Sequence, residues 1–599
     1  MSPKLGWYVA GMRVGLVLVA VAVLGAVGCG AAMRRFPLRD AMWRDTDLEP
    51  VEVACRPDPE EPAEQLCRPE EYVSSFAWDG ADNLVFRPVA NFFAVDPGGE
   101  AVNVNAMDEV PDSAWFTNRI GMHPMTPEEV GLGYCAEEGG AVLDVDGPDG
   151  SWVIDMGKPN GANPGFRVIV NGTKFMLKAD PPEQPERATG ATSIASRLYY
   201  AAGWWAPCDS VVYLRPSLLS LSPGLTVTDN SGNSRPFDQA ALDEVLHNAS
   251  RRGERVRMVA SRWLPGRAIG PFRYETTRDD DPNDVIAHED RRDLRGARVI
   301  AAWINHFDSR EQNTMDTWMA LDARHKDSSP GYVRHWYIDL GDCFGSEWAW
   351  EAMSKRLGYA YYLDFAYVAS DFATLGLISR PWDHAQRSPE GDIFGFFRSG
   401  DFKPDDWVGG YPNPAFQRMT ERDAAWTTRI LARMTPEHID AALAVGDYTT
   451  PTHRAFLRTV VLERHRKILR RYLSRLSPLA DLRVEDGNHL CGVDLARQTR
   501  AFPGARFVYG AAMYTGADLA PRPGVQVGAS PDASVCVTLT HFAPDRGPDP
   551  GSVDRYAIVD ITNGQAEGAL RAHLYDLGPA RGFRLVGIER PDDADAPRP

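Results

Sequence analysis

Beyond its N-terminal region the 599-residue chain has no apolar run long enough to cross a bilayer, which excludes a multi-span membrane protein. It has no excess of positive charge. Lys and Arg total 64 against 82 Asp and Glu, a formal charge of −18, so the broad phosphate neutralisation behind nucleic-acid binding is missing. No G-x-x-x-x-G-K-[ST] loop and no G-x-S-x-G elbow occur, which removes the P-loop and serine-hydrolase routes to catalysis. His288-Glu289 opens like a zinc-protease motif, but Arg292 stands where the second His is needed. Cysteine is sparse, eight in all with none at C-x-x-C spacing, so a zinc ribbon or thioredoxin-like site is excluded. There is no internal repeat. What remains, 44% hydrophobic and 24% charged residues, is a globular composition at a length for several domains.

The front of the chain reads as an address. Lys4 and Arg13 precede an apolar run from Val14 to Val27, the pattern of a secretory signal peptide. Ala26-Val27-Gly28-Cys29 resembles a bacterial lipobox, with Ala26 where Leu is usual. Residues 1–28 are therefore expected to be a lipoprotein signal peptide, with Cys29 as the lipidated mature N-terminus. The expected location is outside the cytoplasm, held to a membrane through a lipid anchor only. Gly30 is not the Asp associated with inner-membrane retention, so the outer membrane or periplasmic face is preferred. Disulfides persist in such compartments. Cys55 and Cys67 flank a Pro/Glu-rich loop and are the expected pair; the sequence leaves the other cysteines open.

Residues 29–75 are rich in Pro, Glu and Arg and read as a tether, and 76–150 as an extension packing on the core. Within 151–262, apolar alternation predicts strands from Trp152, Phe166 and Lys174, with a tight hairpin turn at Asn171-Gly172. Ala191, Ile194, Ala195, Leu198, Tyr199 and Ala202 then follow helical spacing up to Gly203. Residues 263–479 read as mainly helical, with a stripe of Ala297, Ile300, Ala301 and Ile304 and a long helix near 453–475. That helix ends in a basic run, Arg464 to Arg475, read as a solvated face paired with acidic neighbours. Residues 480–589 carry short strand-like runs and read as a small all-β domain, followed by a disordered tail at 590–599. The expected class is α+β.

Three dispersed segments carry the chemistry. His306 through Asn313 has the form H-x-D-x-x-x-x-N directly after an apolar helix, Asp339-Leu340-Gly341 ends an apolar strand, and Lys178 ends the third strand of the small lobe. Phosphoryl transfer needs this set of parts. A lysine neutralises nucleotide phosphates, Asp and Asn oxygens hold Mg²⁺, and a further Asp orients or deprotonates the attacking hydroxyl.

In this order the segments resemble the protein-kinase-like superfamily, in the atypical flavour of HipA-type, spore-coat CotH-type and phosphatidylinositol kinases. The wider texture is similar to a family of uncharacterised bacterial secreted proteins. The resemblance spans roughly residues 150–475. It implies a bilobal core, with a small sheet-plus-helix lobe (151–262) and a larger helical lobe (263–479), followed by the all-β domain. It implies ATP and Mg²⁺ as cofactors, with Lys178 on the phosphates, Asp308 as the catalytic Asp, and Asn313 and Asp339 as metal ligands. Glu186 is expected as the counter-ion of Lys178, with Glu183 second. The turn from Gly157 to Gly161 stands in the place of the glycine loop, though it departs from G-x-G-x-x-G, and no A-P-E follows Asp339-Leu340-Gly341. The implied function is a lipid-anchored phosphotransferase acting on a hydroxyl of an unidentified substrate. The alternatives are a pseudokinase-type scaffold, displaying the β domain to a protein partner, and a nucleotidyltransferase that AMPylates proteins.

Overall fold

The hairpin at Asn171-Gly172, where both residues have positive φ (50° and 79°), sets the register of the first sheet. In this computed structural model the described residues are 34–592, apart from 60, 74–75, 94–98, 138–142, 159–162, 229–232, 348–349, 517 and 548. Cys29 and Gly161 therefore lie outside the described residues, as does the tail from 593.

The first sheet contains β1 (Trp152–Gly157), β2 (Gly165–Val170), β3 (Thr173–Lys178), β4 (Asp209–Leu214) and β5 (Arg255–Arg262), paired antiparallel in the order β4-β5-β3-β2-β1. Trp152, Ile154, Phe166, Val168, Phe175 and Leu177 alternate onto one face and bury against the helix Gln239–Asn248. Helix α1 (Arg187–Ala202) connects β3 to β4. The sequence shows one apolar stripe on α1, yet every residue of the helix is buried. It is built largely of Ala, Ser, Thr and Gly, so a second layer can approach its other faces.

That layer is helical. Helices α2 (Arg292–Ile304), α3 (Glu421–Leu431), α4 (Pro436–Ala444) and α5 (Pro451–Tyr472) share one core with α1, including the fully buried Trp303, Trp426, Leu457 and Val461. Between α2 and α3 the chain forms a hairpin, β6 (Thr314–Ala320) and β7 (Gly331–Tyr337), which carries the two ends of the motif region. The basic end of α5 is not a uniformly solvated face. Arg471 pairs with Glu421 and Asp405, but Arg464 is buried, donates to the carbonyls of Ala302 and Arg398, and stacks on Phe397 and Phe402.

Strands β8 (Leu479–Glu485), β9 (His489–Asp494), β10 (Gly510–Thr515), β11 (Ser534–Thr538), β12 (Tyr556–Thr562), β13 (Leu570–Asp576) and β14 (Phe583–Glu589) form two antiparallel sheets over a third core. The chain is thus a mixed α+β protein.

Two sequence expectations need correction. The described part of 29–75 is not a free tether. Phe36 is 3% exposed and wedged on β12 and β13, donating its N–H to the Tyr556 hydroxyl and accepting from the Tyr575 hydroxyl. Further along, Val51 bridges to Gly331, and Cys67 donates its N–H to the Asp327 carbonyl. An aromatic anchor, a few satisfied backbone groups and the Arg68–Asp327 ion pair at 2.6 Å pin a segment whose composition reads as a tether. At the other end, Arg590 is buried and donates to the carbonyls of Ser477 and Leu479, so order continues past 589. Cys55–Cys67 is a disulfide, as are Cys135–Cys208 and Cys491–Cys536, while Cys343 is free and buried. Among the described residues no helix is long and apolar enough to cross a membrane.

Candidate functional site

Lys178 stands at the end of β3, in register with Val259 of β5 on one side and Gly165 of β2 on the other. The strand is internal, so this lysine does not serve to blunt a sheet edge. Its Nζ donates to Asp339 Oδ1 at 2.7 Å.

The catalytic-loop motif begins where α2 ends. Asn305 takes the left-handed conformation (φ 54°) and accepts from Trp407 Nε1 at 2.9 Å, turning the chain out of the helix. His306 is fully buried and its Nδ1 hydrogen-bonds the Tyr199 hydroxyl at 2.9 Å, pinning the loop to α1. Burial pushes its pKa down to about 4, so the ring is neutral at pH 7. Asn313 Nδ2 donates to Asp308 Oδ2 at 2.8 Å and to the Asp308 carbonyl at 2.7 Å, closing the loop. Arg310 Nε lies 3.2 Å from Asp308 Oδ1. Burial, with the Asp342 carboxylate close by, raises the Asp308 carboxyl well above the usual range.

The second motif is delivered by β7. The Ile338 N–H donates to the Asn313 carbonyl at 3.0 Å, which sets Asp339 beside the loop. Asp339 is left-handed (φ 53°), and the adjacent Lys178 ammonium holds its carboxyl well below the ordinary value. Lys158, just past β1, donates to the Asn163 carbonyl at 2.9 Å. Burial and the neighbouring Lys178 bring its pKa down to about 8.

Asp308, Asn313, Asp339, Asp342, Lys158 and Arg187 line one cleft of about 840 Å³, within the range of small-molecule sites. Lys178 reaches this cleft through Asp339. The donors fit a hard divalent cation, because the carboxylates and the Asn amide offer oxygen alone. Among the described residues Asn163 Oδ1, which lines the same cleft, is moreover buried without a hydrogen-bond donor. The two lysines fit phosphate oxygens. Four sequence-derived residues, Lys178, Asp308, Asn313 and Asp339, thus come together.

No family model matches the chain, and no curated protein matches it. Among solved structures it is similar to the Helicobacter pylori proinflammatory kinase CtkA, at 12% identity and a TM-score of 0.27, over 53% of this chain and 95% of that one. A likeness at that score assigns nothing by itself.

Two expected residues have other work. Glu186 is not the counter-ion of Lys178. Its left-handed backbone (φ 66°) turns the carboxylate toward the helical layer, where it accepts from Thr449 N at 2.9 Å and Thr449 Oγ1 at 2.7 Å. Gly157 is a packing glycine and not a phosphate cradle, since a Cβ there would fall 2.3 Å from Val227 Cγ2 and 2.6 Å from Phe237 Cδ2. Glu183, the second choice for the counter-ion, lines the cleft.

Sequence reasoning missed Lys158, Asn163, Gln184, Arg187 and Asp342. Lys158 sits inside the turn already singled out, and Asp342 directly follows Asp339-Leu340-Gly341, so position alone could have flagged both. Gln184 and Arg187 carry no such signal. Gln184 donates to the carbonyls of Gly345 and Ile393 and accepts from Glu347 N–H, while Arg187 donates to the carbonyls of Gly341 and Cys343. Together they latch the segment after Asp339 to the start of α1.

Proposed function

We propose that the chain is a kinase-like phosphotransferase that uses Mg-ATP on a hydroxyl of a protein or small-molecule substrate. The observation that carries this reading is convergence: Lys178 and Asp339, separated by 161 residues, meet at 2.7 Å, and Asp339 shares its cleft with Asp308 and Asn313. In this reading residues 151–262 and 263–479 are two lobes about the cleft, and 480–589 is a β domain available to a protein partner. Lipid attachment at Cys29 would hold the enzyme outside the cytoplasm, and three disulfides support an oxidising compartment.

Lys178 and Lys158 would hold the nucleotide phosphates. Asn313 and Asp339 would hold the cation, which when bound supplies positive charge against the transferring phosphoryl group. Asp308 accepts the proton of the attacking hydroxyl, a role suited to a carboxyl whose proton affinity is raised by burial. Neutral His306 keeps the loop in place through Tyr199. Met315 and Ile338, half-buried and packed on one aromatic cluster, anchor the chain next to Asn313 and Asp339.

The test is nucleotide binding and label transfer by the purified protein. Mg-ATP is expected to raise the melting temperature, Asp339→Ala to abolish that rise, and label to move from γ-labelled ATP. An unchanged melting temperature in Mg-ATP would sink the reading. Two observations favour a second reading, a pseudokinase-type scaffold: Glu186 is engaged by Thr449, and Lys178 is closed on Asp339. A scaffold transfers neither label. Transfer from α-labelled ATP would instead mark a nucleotidyltransferase.

A further inference from the structure

We propose that a cavity between the N-terminal extension, the helical layer and the β sheets binds an anionic phospholipid, its phosphate on Arg433, Arg466 and Arg500 and its acyl chain on the apolar wall beside them. This cavity shares no lining residue with the cleft at Asp339, so the inference does not depend on the phosphotransferase reading.

The cavity has a volume of about 630 Å³, the size of a small-molecule site. Met122 and Met125 of the N-terminal extension form one wall with Leu462 and Leu469 of α5. Methionine suits an alkyl chain, because its unbranched thioether adapts to irregular apolar shapes. Beside this wall stand three guanidinium groups and a single carboxylate, that of Asp481 on β8, in a chain whose formal charge is −18. Asp481 is taken by Arg433 at 2.6 Å. Arg466 of α5 and Arg500 are exposed, and among the described residues neither guanidinium has an ion-pair or hydrogen-bond partner. The two histidines of the lining, His438 and His465, are committed to the carbonyls of Met125 and Leu431. The arginines are therefore the groups left for an anion, and their planar donors match phosphate oxygens.

The surroundings point to a lipid as the source of that phosphate. A smaller cleft shares Gly121, Met122, Arg433 and Asp481 with the cavity and carries its surface on to Trp43, which is 43% exposed. Trp43 belongs to a segment in which Arg34, Arg35, Arg39 and Arg44 are all exposed and, among the described residues, have no ion-pair partner. On the reading of Cys29 as lipidated, Arg34 follows five positions later and is held within about 17 Å of a bilayer surface. Exposed arginines and an exposed Trp are side chains that favour an anionic membrane interface. An acyl chain also accounts for the apolar wall, which a free phosphate leaves unused.

The experiment is native mass spectrometry of the purified full chain in dodecyl maltoside, a neutral detergent, with dioleoylphosphatidylglycerol added. One retained lipid is expected, and dioleoylphosphatidylcholine is expected to be retained far less. Arg466→Ser and Arg500→Ser are each expected to weaken retention about tenfold, the loss of one charge-assisted hydrogen bond. Any rise in melting temperature with Mg-ATP should stay that of wild type in both. No retained phosphatidylglycerol, or equal retention of the two lipids, would overturn the proposal. So would displacement of the lipid by an equal concentration of inorganic phosphate, which marks a free-phosphate site, or full retention when both arginines are replaced. The lipid comparison in wild type decides the matter even if a variant fails to fold. Retained phosphatidylglycerol without any Mg-ATP effect would count against the phosphotransferase reading alone and support the lipid site.

Discussion

At the scale of single residues the cleft is a problem in charge. Lys158 and Lys178 approach each other in a buried place, and Lys158 releases its proton near pH 8 where an unfolded lysine would hold it to about 10.4. Between those values the unfolded chain binds the extra proton, so this group's contribution to folding stability rises with pH across that window and is at its lowest below pH 8. A polyphosphate in the cleft reverses the balance by favouring the charged ammonium. Nucleotide affinity is therefore expected to fall as pH rises through 8, becoming about tenfold weaker at pH 9 than at pH 7 for one coupled proton. Calorimetric titration with Mg-ATP checks this, and Lys158→Met is expected to bind more weakly with a flat profile. Lys178, Asp308, Asn313 and Asp339 were legible in the sequence because each belongs to a spaced motif. Lys158 and Asp342 lie in or beside those motifs but were passed over, because a lone Lys in a turn and an Asp after a glycine are usually surface residues until tertiary packing turns them inward. Glu186 was misassigned for a related reason: its neighbours place it at the head of a helix, but a left-handed φ decides which way it faces.

At the scale of elements, α1 positions much of the site. It carries Tyr199, which holds His306, and Arg187, which holds the segment after Asp339. Its helical period was readable from six apolar positions, but burial on every side was not, because Ser, Thr and Gly at the remaining positions look equally suited to solvent. Gly190 shows the consequence. A Cβ added there would lie 2.7 Å from the ring and hydroxyl of Tyr448. Gly190→Ala gains about 1 kcal/mol of helix propensity, whereas overpacking a tight interface costs about 1–3 kcal/mol. A net loss of stability is expected, read as a lower denaturation midpoint, and the pair Gly190→Ala with Tyr448→Phe should recover little because the ring atoms remain. A stabilised Gly190→Ala would mean that the sheet and helical layers part more easily than this packing allows.

At the scale of the whole molecule, segments far apart along the described chain are tied together. Phe36 docks on β12 and β13, and Arg590, just beyond β14, reaches a buried cluster around Asp108. There Asp108 faces three guanidinium groups: Arg292 of α2 at 2.6 Å, Arg429 of α3 at 3.3 Å, and Arg590. Despite burial they hold its carboxyl well below the usual range, so one charge joins helices, N-terminal extension and β sheets. None of this was legible, since the members lie up to 482 residues apart and no local pattern announces a shared ion. The arginines are not equally dependent on it. Arg292 also pairs with Asp423 at 3.2 Å and Arg429 with Glu109 at 3.0 Å, whereas among the described residues the other hydrogen bonds of the Arg590 guanidinium go to the carbonyls of Ser477 and Leu479. Asp108→Asn keeps the shape and tolerates the positive φ of 57°, yet leaves Arg590 buried without its counter-ion. Removing one partner of such a buried pair costs about 3–5 kcal/mol, and the loss falls on the seam between the helical layer and the β sheets. Scanning calorimetry is expected to split into two transitions in Asp108→Asn, the first from the β sheets. Adding Arg590→Met, which removes the orphaned charge while keeping an apolar stem, is expected to restore much of the lost cooperativity. A single transition at the wild-type temperature in Asp108→Asn would show that the sheets are held by their apolar contacts alone.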